Sequence, residues 1–120
     1  MIAARSLDSI LGSMTDAARR QGIRKSDLSF GDWVIVTTRN SSYSIISLGE
    51  GQYCVAGGWF DRQGVSPART TINGCTWGGS TIKTDLVAGN GLFLEFGNRV
   101  LTTRIQKVRL IRSGGPNLMN

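Results

Sequence analysis

The chain has 120 residues, 40% of them apolar and 18% charged, with a net charge of +6, 16 glycines, two cysteines and no histidine. That length makes one domain with a core of its own, and no apolar run approaches the ~20 residues of a membrane-spanning helix. Without histidine, the two cysteines cannot complete a zinc site from Cys and His ligands, and a Cys–His dyad is excluded.

Residues 1–31 are expected to form an N-terminal helix and a connector. Asp8, Ser9, Gly12 and Ser13 interrupt the first residues and make a poor signal peptide, so the expected location is cytoplasmic. Over residues 6–21, Leu7, Ile10, Leu11, Met14, Ala17 and Ala18 recur at helical spacing. Ser6 suits the N-cap, and Gly22 suits the left-handed position past the C-terminus. The stripe predicts a helix that caps one end of a sheet or barrel. Arg19, Arg20, Arg24 and Lys25 form a basic cluster at the helix end.

From residue 32 to 112 the glycines punctuate short β-prone runs, the pattern of many strands with tight turns. Trp33–Thr38, Tyr43–Leu48 and Tyr53–Ala56 are predicted strands of an antiparallel meander, joined at Arg39–Ser42 and Gly49–Gln52. Trp59–Pro67 is expected to be a loop. Its Trp59 and Phe60 either face a partner or close the barrel end. Arg69–Asn73 and Ser80–Leu86 are weaker strands around the Gly-rich stretch Gly74–Ser80. That stretch lacks the P-loop spacing, so a tight turn or bulge is expected. Val87–Gly91 is a predicted turn. Leu92–Phe96 is expected to pair with Val100–Arg104 through Gly97-Asn98, within a long final strand Val100–Ile111 that bends near Thr103–Ile105. Residues 113–120 are expected to be a flexible tail.

One helix followed by about six short strands outlines a mainly β fold. It resembles a small SH3-like or Sm-like antiparallel β-barrel with an N-terminal capping helix. The likeness is one of architecture. The Sm-like loop Asn and the RG-type pair are not matched, so no RNA-site residue is carried over. A second resemblance lies in residues. Thr38-Arg39-Asn40-Ser41-Ser42-Tyr43, Val55-Ala56-Gly57-Gly58, Gly74–Ser80 with Ile82-Lys83, and Gly91–Phe96 follow an order T-x-N-S-x-Y, GG, GS-x-x-GGS, LEF. This is similar to a set of small uncharacterised bacterial all-β proteins and spans residues 31–112. It implies a single β domain and says nothing of chemistry.

For catalysis, Asp61, Asp85 and Glu95 are the acids best placed to meet, and their spacing suggests no carboxylate pair. No catalytic residue, metal site or cofactor is expected, and the chain is expected not to be an enzyme. Two non-catalytic classes remain. In the first, the barrel self-associates into a homo-oligomer as an interaction or assembly module. In the second, it binds RNA, single-stranded DNA or another polyanion, to which its basic charge attracts it. Phosphate contacts would come from Arg39, Arg62, Arg69, Lys83, Arg104, Lys107 and Arg109, and contact or stacking surfaces from Tyr43, Trp59, Phe60 and Trp77. Neither class involves a membrane. Cys54 and Cys75 are expected as small apolar residues, with a bridge between them left open.

Overall fold

The computed structural model describes residues 22–113. The helix expected over residues 6–21 and the tail beyond Ser113 lie outside them. Within them the protein is mainly β, and every strand pairing is antiparallel.

Ten strands and two short helical turns follow in order. A short strand β1 (Ile23–Arg24) leads into a 3-10 turn at Lys25–Asp27. The meander is β2 (Trp33–Thr38), β3 (Ser42–Gly49) and β4 (Gln52–Gly57). A five-residue helix α1 (Gly58–Arg62) precedes β5 (Ala68–Thr70) and β6 (Ile72–Thr76). Then come β7 (Ile82–Lys83), β8 (Leu86–Ala88), β9 (Phe93–Phe96) and β10 (Ile105–Ile111). The first sheet has the order β10-β2-β3-β4-β5, the second β7-β6-β9, and β1 pairs with β8.

The β2–β4 meander forms where the β-branched and aromatic runs predict it. In β2, Val34, Val36 and Thr38 point inward and alternate with Trp33, Ile35 and Thr37, the period of two that a half-buried strand requires. In β3, Tyr43, Ile45 and Ser47 point inward while Ser44, Ile46 and Leu48 stay partly exposed.

The expected closed barrel does not form. Closure needs an unbroken circuit of paired strands. Here the first sheet ends at β5, and Thr71 carries the chain into a second sheet with no ladder between the two. The region expected as one strand over Arg69–Asn73 is therefore two strands in different sheets. The Trp59–Pro67 loop contains α1 instead. The expected Val87–Gly91 turn starts late, because Val87 and Ala88 belong to β8 and are fully buried. The hairpin expected after Leu92–Phe96 is reduced to one bridge, Glu95 to Leu101, flanked by bonds from Phe96 N to the Val100 carbonyl and from Thr102 N to the Leu94 carbonyl. The long final strand begins only at Ile105.

The core lies between the inner face of the first sheet and the second sheet. Val34, Val36, Ile45, Val55 and Val108 from the first meet Cys75, Leu94 and Phe96 from the second in one cluster. An aromatic group ties the layers together. The Phe60 ring stands edge-on to Phe96 at 5.0 Å and to Trp59 at 5.2 Å, and Tyr43 lies 5.5 Å from Phe96. Edge-to-face pairs of this kind are each worth about 0.5–1.5 kcal/mol beyond their buried area. Gly57 and Gly58 make this approach possible. A side chain on Gly57 would collide with the Ser42 carbonyl oxygen, and one on Gly58 with the Tyr43 ring.

A second tie joins the start of β2 to the end of β10. The buried Asp32 carboxylate accepts hydrogen bonds from Ser29 N (2.9 Å), Arg112 Nη1 (2.8 Å) and Ser113 N (3.0 Å). Ser113 Oγ also donates to the Phe30 carbonyl. Ser113, expected as the first residue of a flexible tail, is thus held by the fold.

Candidate interaction surface

The outer face of the five-stranded sheet is a surface of mixed apolar and basic character. Residues opposite one another on neighbouring strands share a face. One row crosses the sheet as Ile111, Trp33, Ile46, Cys54 and Arg69, and the next as Arg109, Ile35, Ser44 and Ala56. A third row pairs Lys107 with Thr37 and Ser42. No other element of the described residues is paired over these rows, and Trp33 is 39% exposed. Its indole Nε1–H donates to Ser44 Oγ at 2.6 Å. Because Ser44 sits diagonally across on β3, this bond holds the ring down across β2 and β3. Beside it, Ile35, Ser44, Ala56, Gly57 and Asp61 line an open hollow of about 280 Å³.

The charge on this face is one-sided. Lys107 and Arg109 stand on the β10 edge and Arg69 on the β5 edge. Arg39 projects from the β2–β3 turn, and Arg62 reaches that turn by donating to Ser41 Oγ at 3.0 Å. The rows hold no acid. Asp61 at the hollow and Glu50 in the β3–β4 turn lie at its two ends.

The sequence-predicted residues therefore divide. Arg39, Arg62, Arg69, Lys107 and Arg109 surround this face. Trp77 is 64% exposed but follows β6, and Lys83 is on β7, so both belong to the second sheet. Arg104 is also turned there: its guanidinium lies 4.7 Å above the Phe93 ring and donates to the Gly91 carbonyl. Tyr43 and Phe60 are core residues, 3% and 1% exposed. The Tyr43 hydroxyl accepts from Trp59 N. Trp59 is half-buried and packs on the core. Of the two readings of Trp59 and Phe60, burial decides for closure of the core end in the case of Phe60. Trp33, Ile35, Ile46 and Ile111 are not among the sequence-predicted residues. Their signal was present in the large apolar residues at the second parity of β2, β3 and β10.

The acids considered for catalysis each have a separate partner. The Asp61 Oδ1 accepts from Gly57 N, Asp85 faces Arg24 at 3.8 Å, and Glu95 accepts from Asn73 Nδ2 at 2.7 Å. Among the described residues no three His, Cys, Asp or Glu side chains gather as metal ligands, and no helix is long and apolar enough to cross a membrane. Burial pushes the Asp32 carboxyl up, but the amides of Ser29 and Ser113 and the Arg112 guanidinium outweigh it and hold its pKa below the ordinary value. The two cysteines are both free. Cys54 lies half-buried on the outer face. Cys75 is buried in the second sheet, where desolvation pushes its thiol up to about 12 against the small lowering from Lys25. Comparison with protein-family models, with curated proteins and with solved structures finds no match to this chain.

Proposed function

We propose that the protein is a non-catalytic interaction module whose contact surface is the outer face of the five-stranded sheet. The observation that carries this reading is the row Ile111, Trp33, Ile46 and Cys54, spread over four adjacent strands, in which Trp33 is exposed and the other three are partly exposed. A contiguous apolar patch rimmed by polar and charged groups is the usual mark of a binding site on a soluble domain. The separate partners of Asp61, Asp85 and Glu95 support the non-catalytic part.

Self-association is a second reading, on a different observation. Beyond Ile105, the outer edge of β10 carries no ladder partner among the described residues. A bare edge of that length accepts an added strand. Size-exclusion chromatography with light scattering, run alone and with an oligonucleotide at low and high salt, tests both. An Ile46→Asp variant that abolishes the association observed supports the face. Association that Ile46→Asp leaves untouched removes the face from consideration.

A further inference from the structure

We propose that the outer face of the five-stranded sheet binds single-stranded nucleic acid, with Trp33 as the stacking platform and Arg69, Lys107 and Arg109 as phosphate contacts. This rests on the reading of that face as the contact surface and supplies its partner.

Charge selects the partner. Two copies stacked face to face about a two-fold axis place β10 over β10 or β10 over β5. Either way cations from one copy meet cations from the other, and the rows offer no carboxylate to pair with them. Like charges set opposite each other disfavour that contact by several kcal/mol. A polyanion meets the same arrangement favourably. Arg39 and Arg62 at the β2–β3 turn extend the positive rim at the end where Asp61 lies, and Glu50 is the acid at the opposite, β3–β4 end.

The middle of the face then separates a single strand from other polyanions. Four strand spacings of ~4.8 Å set β10 and β5 about 19 Å apart. A chain laid across them meets a cation, an apolar and aromatic floor, and a cation, in that order. The floor is built for flat rings. The Trp33 indole is tied down by its bond to Ser44, so its order is established before any base arrives. The hollow lined by Ile35, Ser44 and Ala56 opens beside it. Stacking on an aromatic ring tolerates every base because each has a π face, and basic grooves with such rings are how single strands are held without sequence preference. Bases in a duplex are already stacked and paired, and cannot lie on Trp33.

The test is fluorescence anisotropy with labelled oligo-dT and oligo-U of about 15 nucleotides and a duplex of equal length, at about 50 and about 200 mM salt. Three phosphate contacts at ~0.7 each give a log–log salt slope near −2, so binding of the single strands should weaken about 20-fold between the two salts. Trp33→Ala should weaken binding about 5- to 150-fold, the range for one stacked base. Lys107→Gln and Arg109→Gln should each reduce the salt slope by about 0.7 with an unchanged melting temperature. They also carry the test if Trp33→Ala fails to fold. Tighter binding of oligo-U assigns RNA, and of oligo-dT assigns DNA. No binding at the lower salt, equal binding of the duplex, or a folded Trp33→Ala with wild-type affinity overturns the proposal. If no oligonucleotide binds yet Ile46→Asp disperses an oligomer, the partner is wrong and the contact face stands. If no oligonucleotide binds and Ile46→Asp changes no association, both are wrong.

Discussion

Asp32→Asn probes the tie between β2 and β10. The carboxylate is buried and takes its hydrogen bonds from two backbone amides and the Arg112 guanidinium. Hydrogen bonds to a charged group are worth about 1.5–3 kcal/mol each. The amide keeps one acceptor oxygen but turns an NH2 group toward donors that cannot accept from it. Arg112 is well exposed, so its share is small. The net cost is then about 2–3 kcal/mol at neutral pH, or roughly 10–20 °C in melting temperature for a domain of this size. The pH dependence has a definite sign. The folded pKa lies below the ordinary 3.8, so the stabilisation is fully present above 3.8 and is lost as the pH falls through the folded value. Thermal unfolding followed by circular dichroism should show the gap between wild type and Asp32→Asn at full width at pH 7 and narrowing steadily in acid. Arg112→Ala should cost less than Asp32→Asn. Equal melting temperatures at pH 7, or a gap that stays constant into strong acid, would refute the electrostatic account of this latch.

Three further outcomes follow from the packing. Phe60→Ala removes a fully buried ring touching Phe96, Trp59 and Tyr43, and should cost about 3–5 kcal/mol in chemical denaturation. Trp59→Ala should cost measurably less, because Trp59 is only half-buried; a Trp59 loss equal to that of Phe60 would contradict its placement. Gly57→Ala meets both a positive φ and the Ser42 carbonyl, and should cost well over the roughly 1–2 kcal/mol of the left-handed conformation alone. Gly51→Ala, with the same sign of φ and open space, should cost no more than that. In the folded protein, Cys54 should react with a thiol reagent at mildly alkaline pH while Cys75 stays unmodified, checked by intact-mass spectrometry; fast labelling of Cys75 would exclude its burial.

The meander was legible in the sequence because each of its strands carries its own period and its own turn. Trp33–Thr38 was bounded correctly from the β-branched run alone, and β3 and β4 to within a residue at each end. Barrel closure was not legible. It depended on whether Arg69–Asn73 continued one sheet or crossed to another, and a change of sheet at Thr71 leaves no compositional trace. The same limit applied to the surface. Alternation separates two faces but does not say which of two apolar faces is covered, so nothing in the Trp33–Thr38 run marks Trp33 as exposed, and Trp59 and Phe60, beside a Gly-Gly pair, read equally as a contact loop or as closure of the core end. The basic residues were legible as charge. Their division between the outer face and the second sheet needed the pairing of β10 with β2.

That pairing also sets an order of events. Strands β2 to β5 follow one another and can zip as local hairpins, whereas β10 must come from the far end of the sequence. Contacts between distant segments form late because loop-closure entropy must first be overcome. During synthesis the growing chain therefore displays β2 with one bare edge until Ile111 has left the ribosome, an interval in which that edge is open to other unfolded chains. The same strand brings Lys107 and Arg109 to the sheet, so the outer face gains its basic residues and β2 loses its bare edge in a single late step.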